Sequence, residues 1–121
     1  MSFSEPDLAA LAATKEIEIE TRAADGTVHR TIVWPVVRDG VVYVRSYRGP
    51  GGRWYQEALK DPAVALHVDG RRLAGRAIHA PDAASVQACS EALRDKYKAS
   101  YSLAAMLADT VLPTTIRVVP A

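Results

Sequence analysis

Hydrophobic and polar residues alternate along several stretches of this chain, which is the pattern of β-strands with one face buried and the other in water. Between residues 15 and 22, three glutamates alternate with two isoleucines. Pro35 lies inside the second such stretch, which predicts that this strand is at a sheet edge or is kinked there. The six strands predicted in this way are Lys15–Arg22, Val28–Arg38, Val41–Arg48, Ala63–Asp69, Arg72–His79 and Thr114–Val119.

Asp-Gly pairs stand between successive strands at three places. This dipeptide favours a tight hairpin, because both residues tolerate a positive φ. The three pairs are Asp25-Gly26, Asp39-Gly40 and Asp69-Gly70. They predict that the strands they join are antiparallel.

Helices are predicted in the remaining segments, at Ser4–Thr14, Arg53–Lys60, Asp82–Lys96 and Tyr101–Ala108. Strands in hairpins with a few intervening helices favour an α+β fold. A small antiparallel barrel is the expected closure, since closure removes exposed sheet edges. A length of 121 residues corresponds to a single domain over residues 1–121.

Composition narrows the classes of function. Fifteen basic and fourteen acidic side chains give a formal charge of +1, without the basic excess typical of nucleic-acid-binding proteins. The single cysteine, Cys89, excludes an intrachain disulfide and a zinc site built on cysteines. No apolar run approaches the roughly 18 residues of a membrane span, and the polar start is unlike a signal peptide. We therefore expect a cytoplasmic protein with no membrane partner.

The segment most suited to chemistry is the glycine-containing stretch over residues 45–55, between the third strand and the second helix. Glycines let backbone N–H groups approach an anion, and arginines suit phosphate or carboxylate. Strand parity puts Ser46 and Arg48 on one face and Arg45 on the other. We expect Ser46 and Arg48 to contact an anion at the barrel mouth, with Arg53 reaching it from the helix. The alternative is a mobile loop with solvated arginines.

Aromatic residues lie beside this stretch. Trp54 and Tyr55 open the helix and could wall a ring-shaped ligand, although at least one of the pair is expected to be a core anchor. Trp34-Pro35 interrupts the second strand, where the missing proline N–H leaves backbone acceptors free for a planar heterocycle. The alternative for Trp34-Pro35 is an edge strand protected against aggregation.

Side chains that could act directly on a substrate are few. Tyr97 and Tyr101 are the candidate proton donors, but partial burial with a surface hydroxyl is the favoured alternative. His29, His67 and His79 lie on separate predicted strands without the spacing of metal ligands, so no metal site is expected. A GxSxG motif, which marks one class of serine hydrolase, is absent.

The run DGVVYVRSYRGPGGRWYQEALKDPAVALHVDGRRLAGRA resembles the centre of split β-barrel proteins that bind FMN or the deazaflavin F420, among them deazaflavin-dependent nitroreductase-like proteins. The shared order is a strand, a basic glycine-containing loop, a WY-x-x-L helix, an Asp-Pro step and a valine-rich strand. With its EIEIETR start and TTIR-V-P end, the chain is identified as a member of the bacterial family DUF2255 over about Lys15 to Pro120.

The resemblance implies a six-stranded split β-barrel that forms a homodimer, with FMN or F420 in a groove between the subunits. The positions that match the phosphate-binding residues are Ser46, Arg48, Gly49 and Arg53. The positions that match the residues lining the ring are Thr31, Ile32 and Val33, and those that match the residues closing its pocket are Trp54 and Tyr55. Trp34, next to Val33, is also expected to contact the cofactor. The deazaflavin reductases carry asparagine where this chain has Ala58, which leaves FMN, F420 and an empty site all open.

Three functions follow as alternatives. The first is a flavin- or F420-dependent oxidoreductase that transfers a hydride to a small organic substrate, in which the cofactor carries the chemistry. The second is a non-redox protein that binds a small anionic or aromatic ligand in the same barrel. The third is a cofactor-free biosynthetic enzyme with Tyr97 or Tyr101 as acid or base. The colour and absorption spectrum of the purified protein discriminate between the first and the other two.

Overall fold

The computed structural model of the chain describes residues 2–121. The helices are α1 (Glu5–Ala13), α2 (Arg53–Lys60), α3 (Ala83–Tyr97) and α4 (Leu103–Met106), with 3-10 turns at Gly49–Gly51 and Leu112–Thr114. The strands are β1 (Ile17–Arg22), β2 (Val28–Val33), β3 (Val36–Arg38), β4 (Val41–Val44), β5 (Ala63–Val68), β6 (Arg71–His79) and β7 (Ile116–Pro120). Within these residues, no helix is long and apolar enough to cross a membrane.

All strand pairs are antiparallel, in the order β2-β1-β5-β6-β7-β4-β3. Strands β2 and β3 are therefore the two edges of the sheet, although only Trp34 and Pro35 separate them in the chain. Such a short connection requires the sheet to curl until its two edges approach each other. The predicted α+β fold on a curled antiparallel sheet is confirmed as a half-barrel.

The strand count is seven rather than the predicted six. Proline has no backbone N–H and cannot complete a ladder, so the predicted strand over residues 28–38 divides at Trp34-Pro35 into β2 and β3. The predicted strand over residues 41–48 also ends early, at Val44, where pairing with Ile116 of β7 stops. Residues 45–48 leave the sheet there and form one side of the site described below.

The hairpin turns follow the Asp-Gly signals. Both residues of two Asp-Gly pairs adopt positive φ: Asp39 has 52° and Gly40 has 77°, and Asp69 has 52° and Gly70 has 72°. Each pair forms a two-residue loop, since Arg38 pairs with Val41 and Val68 pairs with Arg71. These values belong to the type of turn whose twist matches that of the strands it joins.

Two clusters of buried side chains stabilise the fold. One is shared by α1, α2 and most of the strands, and includes Ile19, Leu66, Trp54 and Ile116. The other joins α3 and α4 to β3 and β4, and its members are Val36, Tyr43, Cys89, Ala92, Leu93, Tyr97 and Met106. Burial raises the pKa of Cys89 to about 11, so this thiol is an inert part of the core.

Candidate functional site

A cavity of about 710 Å³ opens between the end of β2 and the segment that follows β4. This volume lies within the range of small-molecule sites. The cavity is lined by Glu16, Thr31, Ile32, Val33, Trp34, Arg45, Ser46, Tyr47, Arg48, Gly51, Gly52, Arg53, Trp54, Ser102 and Met106. Four segments far apart in the chain meet here because the sheet curls.

Most of the residues predicted to bind a cofactor come together in this cavity. The eight that line it are Thr31, Ile32, Val33, Trp34, Ser46, Arg48, Arg53 and Trp54. Gly49 and Tyr55 lie outside the lining. The eight lining residues surround one space, so a single ligand could contact all of them. That they bind a cofactor stays a prediction.

Gly49 shapes the loop from behind. It has a φ of 75°, its N–H donates to the carbonyl of Ser46 at 2.9 Å, and its carbonyl accepts from Ser46 Oγ at 2.7 Å. A Cβ on Gly52 would lie only 2.3 Å from Ser46 Oγ, so the loop can pass this close to Ser46 only with glycine there. The Ser46 hydroxyl thus holds the loop, instead of pointing to an anion as strand parity suggested.

Tyr55 is the core anchor of the aromatic pair. Its side chain is 5% exposed, and its hydroxyl lies 3.1 Å from Nε2 of His79. The two rings meet edge to face with centroids 5.9 Å apart. Burial raises the pKa of this hydroxyl. Trp54 is also buried, at 5% exposure, but part of it reaches the cavity wall.

Trp34 forms an aromatic wall that is supported from behind. Its ring stacks on Tyr97, with centroids 4.1 Å apart and planes 11° from parallel. Its Nε1 donates to Glu16 at 3.4 Å. Because Tyr97 is outside the cavity lining and Trp34 is inside it, the indole separates Tyr97 from the cavity.

Neither predicted proton donor reaches this cavity. Tyr97 is 4% exposed, and its hydroxyl donates to the backbone carbonyl of Lys15 at 2.7 Å, while burial raises its pKa. Tyr101 is fully exposed outside the cavity lining. The sequence placed Tyr97 directly after one predicted helix and Tyr101 at the start of the next, but which surface each side chain faces depends on how these segments pack. The structure therefore does not bring these two hydroxyls to the site.

The Trp34-Pro35 segment between β2 and β3 is bound by a residue at the end of α3. Lys96 Nζ donates to the backbone carbonyls of Leu11, Thr14 and Pro35 at 2.9, 2.7 and 2.6 Å. Three acceptors satisfy all three ammonium hydrogens, while burial lowers the pKa of Lys96 to about 8. Lys96 and Tyr97 thereby fix the segment that carries Trp34 against α1 and α3.

Arginines of unequal exposure surround the cavity. Arg48 is exposed at the rim. Arg53 is half exposed, donates to Thr31 Oγ1 at 3.0 Å, and lies 3.9 Å from Glu57 across one helical turn. Glu57 in turn accepts from Thr21 Oγ1 at 2.7 Å. These contacts fix α2 to β1 and β2, and so fix the position of Arg53.

Arg45 lines the cavity but was not among the site residues predicted from the sequence. The other lining residues that were not predicted are Glu16, Tyr47, Gly51, Gly52, Ser102 and Met106. Arg45 is 1% exposed and lines the cavity beside Met106. It shares its face of the chain with Tyr43, as parity predicted. That face packs against α3 and α4 and does not meet water. Arg45 is therefore buried next to the cavity, although parity predicted that it points away from the anion site. Burial lowers the pKa of this guanidinium.

Charge and chemistry at the cavity favour an anion. Three arginines line it against one carboxylate, Glu16. The histidines are engaged elsewhere: His29 with Glu57 at 3.0 Å, His67 with Glu20 at 2.8 Å, and His79 with Tyr55. Over residues 2–121, no group of three or more histidine, cysteine or acidic side chains is arranged to hold a metal ion.

The model of the family DUF2255, "Uncharacterized protein conserved in bacteria", matches residues 7–118. No curated protein matches the chain. The conserved hypothetical protein Rv2991 from Mycobacterium tuberculosis is similar in structure, with a TM-score of 0.76 and 17% identity over 99% of this chain and 82% of that one.

Similar structures include proteins described by their ligands. A FAD-binding protein from Mesorhizobium loti has a TM-score of 0.66 and 19% identity, over 100% of this chain and 92% of that one. An F420 reductase has a TM-score of 0.63 and 18% identity, over 93% of this chain and 91% of that one. HutZ, a haem storage protein from Vibrio cholerae, has a TM-score of 0.68 and 12% identity, over 100% and 92%. At these identities the likeness establishes the fold alone.

Proposed function

We propose that this chain, which belongs to the bacterial family DUF2255, is a flavin- or deazaflavin-dependent oxidoreductase that transfers a hydride to a small organic substrate. The observation that carries the proposal is the composition of one cavity. An open strand edge with an aromatic wall lies on one side of it, and an arginine- and glycine-containing loop lies on the other.

The strand side fits a planar heterocycle. Thr31–Val33 form the end of β2, and Trp34 follows it. Over residues 2–121 β2 pairs only with β1, so its outer backbone groups have no partner strand there. Backbone donors and acceptors of this kind can bond the edge of a flat ring. Trp34 adds a rigid aromatic face, held by its stack on Tyr97.

The loop side fits the phosphate that FMN and F420 both carry. Arg48 and Arg53 supply guanidinium groups, and the backbone at Gly51 and Gly52 is open to close approach. Arg53 is already placed by its bond to Thr31, at the boundary between the strand side and the loop side. A ligand with a ring at one end and a phosphate at the other would match both sides.

When bound, such a ring would supply a hydride, with its two electrons, to the substrate. The chain's own residues bind and orient the ring and balance the ligand's charge. Among residues 2–121, Tyr47 is the one tyrosine that lines the cavity, and its side chain is 61% exposed at the rim. A proton needed to complete the reduction would therefore come from the mouth of the cavity, from Tyr47 or from water.

A second copy of the chain is part of the proposal. Ile32 and Tyr47 line the cavity and are 62% and 61% exposed, so the opening of the cavity presents two large, uncovered side chains. A homodimer that buries these residues would close the cavity from the open side and protect the edge of β2.

A non-redox binding protein is the second candidate. It is favoured by one observation, that Tyr97 and Tyr101 both lie outside the cavity. Haem, which HutZ stores, fits less well, because the cavity lining in the described chain includes no histidine to ligate iron. The binding protein and the oxidoreductase need the same cavity and differ in whether the bound ligand is a redox cofactor.

Titration with FMN and with F420 tests the proposal. The chain has two tryptophans, Trp34 and Trp54, and both line the cavity. A bound flavin or deazaflavin should quench their fluorescence, and the purified protein should be yellow if it retains the cofactor. A colourless protein that binds neither compound would contradict the redox function. A protein that binds one of them but transfers no electrons from it would support the second candidate.

A further inference from the structure

Arg45 carries a buried positive charge that has no ionic partner among residues 2–121. It is 1% exposed, and its acceptors are Thr115 Oγ1 at 2.9 Å, the Met106 carbonyl at 3.1 Å, the Val86 carbonyl at 2.8 Å and Ser90 Oγ at 2.8 Å. All four oxygens are uncharged. In the part of the chain that the structure describes, no carboxylate forms an ion pair with this arginine.

The hydrogen bonds leave one donor unused. A guanidinium has five N–H groups: one on Nε and two on each terminal nitrogen. Arg45 uses its Nε–H, both hydrogens of Nη2 and one hydrogen of Nη1. The Nη1 group that keeps a free hydrogen bonds to Met106, which lines the same cavity as Arg45 itself.

A buried charge and a buried free donor are both unfavourable unless a partner compensates them. Residues 2–121 supply no such partner, whereas the cavity is open to one from outside. The charge-assisted contact with an oxyanion would satisfy the charge and the donor together.

Arg45 also differs from the other two arginines of the cavity. Arg48 and Arg53 are exposed, and Arg53 already lies beside the carboxylate of Glu57. Arg45 is fixed by α3, by α4 and by Thr115 just before β7. Its position is therefore set before any ligand binds, which lowers the entropic cost of the contact.

We propose that Arg45 binds an oxyanion group of the ligand, a phosphate or a carboxylate, inside the cavity, and so selects anionic ligands. The inference rests on the proposed use of this cavity for a ligand, but not on redox chemistry. The oxyanion can belong to the phosphate of the cofactor or to a carboxylate of the substrate, and matched ligand pairs distinguish these sources.

The test compares Arg45→Gln and Arg45→Lys with Arg76→Gln, which removes an exposed arginine on β6, outside the cavity lining. The probes are inorganic phosphate, FMN against riboflavin, and benzoate against benzamide, all at one ionic strength. Riboflavin lacks only the phosphate of FMN, and benzamide is the uncharged counterpart of benzoate. Calorimetry gives the affinities, and circular dichroism gives the folded fraction by which each is corrected.

In the wild-type protein and in Arg76→Gln, an anion of at least one pair should bind at least about tenfold more tightly than its neutral counterpart. Inorganic phosphate should raise the Tm of both. Arg45→Gln should lose most of the preference for the anion and keep the affinity for its neutral counterpart. Arg45→Lys should keep part of the preference for the anion. Loss of the FMN preference assigns Arg45 to the cofactor phosphate. Loss of the benzoate preference alone assigns it to a substrate carboxylate.

Equal affinities for anions and their neutral counterparts in the wild-type protein overturn the inference, and this arm needs no variant. An undiminished preference in Arg45→Gln, measured per folded molecule, also overturns it and leaves Arg45 as a tie between helices. If FMN, F420 and riboflavin all fail to bind, the proposed redox function is lost. Phosphate that still protects the wild type and not Arg45→Gln would then support the inference by itself.

Discussion

At the scale of single residues, the stack of Trp34 on Tyr97 decides what the cavity presents to a ligand. The Tyr97 hydroxyl donates a hydrogen bond to the Lys15 carbonyl, and its oxygen lies 3.3 Å from the carbonyl oxygen of Pro35. Its ring lies 4.1 Å from that of Trp34. Tyr97 therefore acts on the site through Trp34, as a positioning residue.

Substitution of Tyr97 separates this role from proton donation. Tyr97→Phe keeps the stacked ring and removes the hydroxyl, so it should lower the free energy of unfolding by about 1–2 kcal/mol. FMN or F420 affinity per folded molecule should stay unchanged. Tyr97→Leu should weaken ligand binding as well, because it removes the support of Trp34. Denaturant unfolding and fluorescence titration measure the two quantities. A Phe variant that binds normally but loses its catalytic rate would instead make Tyr97 a proton donor.

Arg48 offers the complementary case, because its side chain forms no hydrogen bond or ion pair within residues 2–121. Its side chain is exposed at the cavity rim, so Arg48→Gln should leave the Tm unchanged. Affinity for FMN should fall roughly three- to tenfold, a modest loss because the contact is partly screened by water. Riboflavin affinity should not change, and Arg76→Gln is the matched control. FMN affinity equal to that of the wild type would remove Arg48 from the phosphate site.

At the scale of elements, side chains that cross the sheet hold the strands beside the site in register. Glu20 on β1 meets His67 on β5 at 2.8 Å and Arg72 on β6 at 2.8 Å. Glu57 on α2 joins Thr21 on β1 to His29 on β2. One carboxylate thus ties three strands together, and the other fixes the helix that carries Arg53 and Trp54.

The Glu20 contacts predict an acid-sensitive component of stability. The hydrogen bond with Arg72, assisted by His67, lowers the pKa of Glu20 from its ordinary 4.5 to about 2. Because the folded state holds this proton less tightly than the unfolded state, the stabilisation is complete above pH 4.5 and is lost as the pH falls toward 2.

Glu20→Gln tests that component. The variant should unfold about 1 kcal/mol more easily than the wild type at pH 7, a value reduced for partial exposure of the cluster. The difference between the two proteins should vanish near pH 2. Urea unfolding at a series of pH values gives both curves, and a constant difference from pH 7 to pH 2 would contradict the assignment.

At the scale of the whole molecule, the curled sheet leaves one open side. The edges β2 and β3 approach each other through the two-residue connection, and the cavity lies beside this connection. Ile32 and Tyr47 stand exposed at the same opening. The molecule therefore presents its candidate site and its exposed apolar side chains on one surface, to which the proposed partner subunit would bind.

The homodimer predicts the effect of a charge at that surface. Ile32→Glu should shift the protein from dimer to monomer and weaken FMN binding, because the ion would have to be buried between subunits. Leu59→Glu, on α2 outside the cavity lining and 42% exposed, is the control and should stay dimeric. Light scattering at micromolar concentration measures the mass. A monomeric wild type, or a dimer disrupted only by the Leu59 change, would disprove this interface.

The sequence by itself determined what depends on near neighbours in the chain. Asp39-Gly40 specifies its turn because only its own φ values matter. Asp82 starts α3 because its side chain accepts a hydrogen bond from the backbone N–H of Ser85, three residues on, and so caps the helix. Two of the four segments that line the cavity were identified from the sequence. Ser46–Trp54 was indicated by its own basic and glycine-containing stretch, and Thr31–Trp34 by the resemblance to split β-barrel proteins and by the strand break at Trp34-Pro35.

Only the tertiary structure decided how the remaining side chains are used. Arg45 is buried by acceptors 41 to 70 residues away, and Tyr97 is turned from the cavity by a carbonyl 82 residues away. Strand parity gives the face a side chain points to, but not whether that face meets water, a helix or a cavity. That outcome depends on how distant segments pack, because burial is a property of the assembled fold and not of any local pattern.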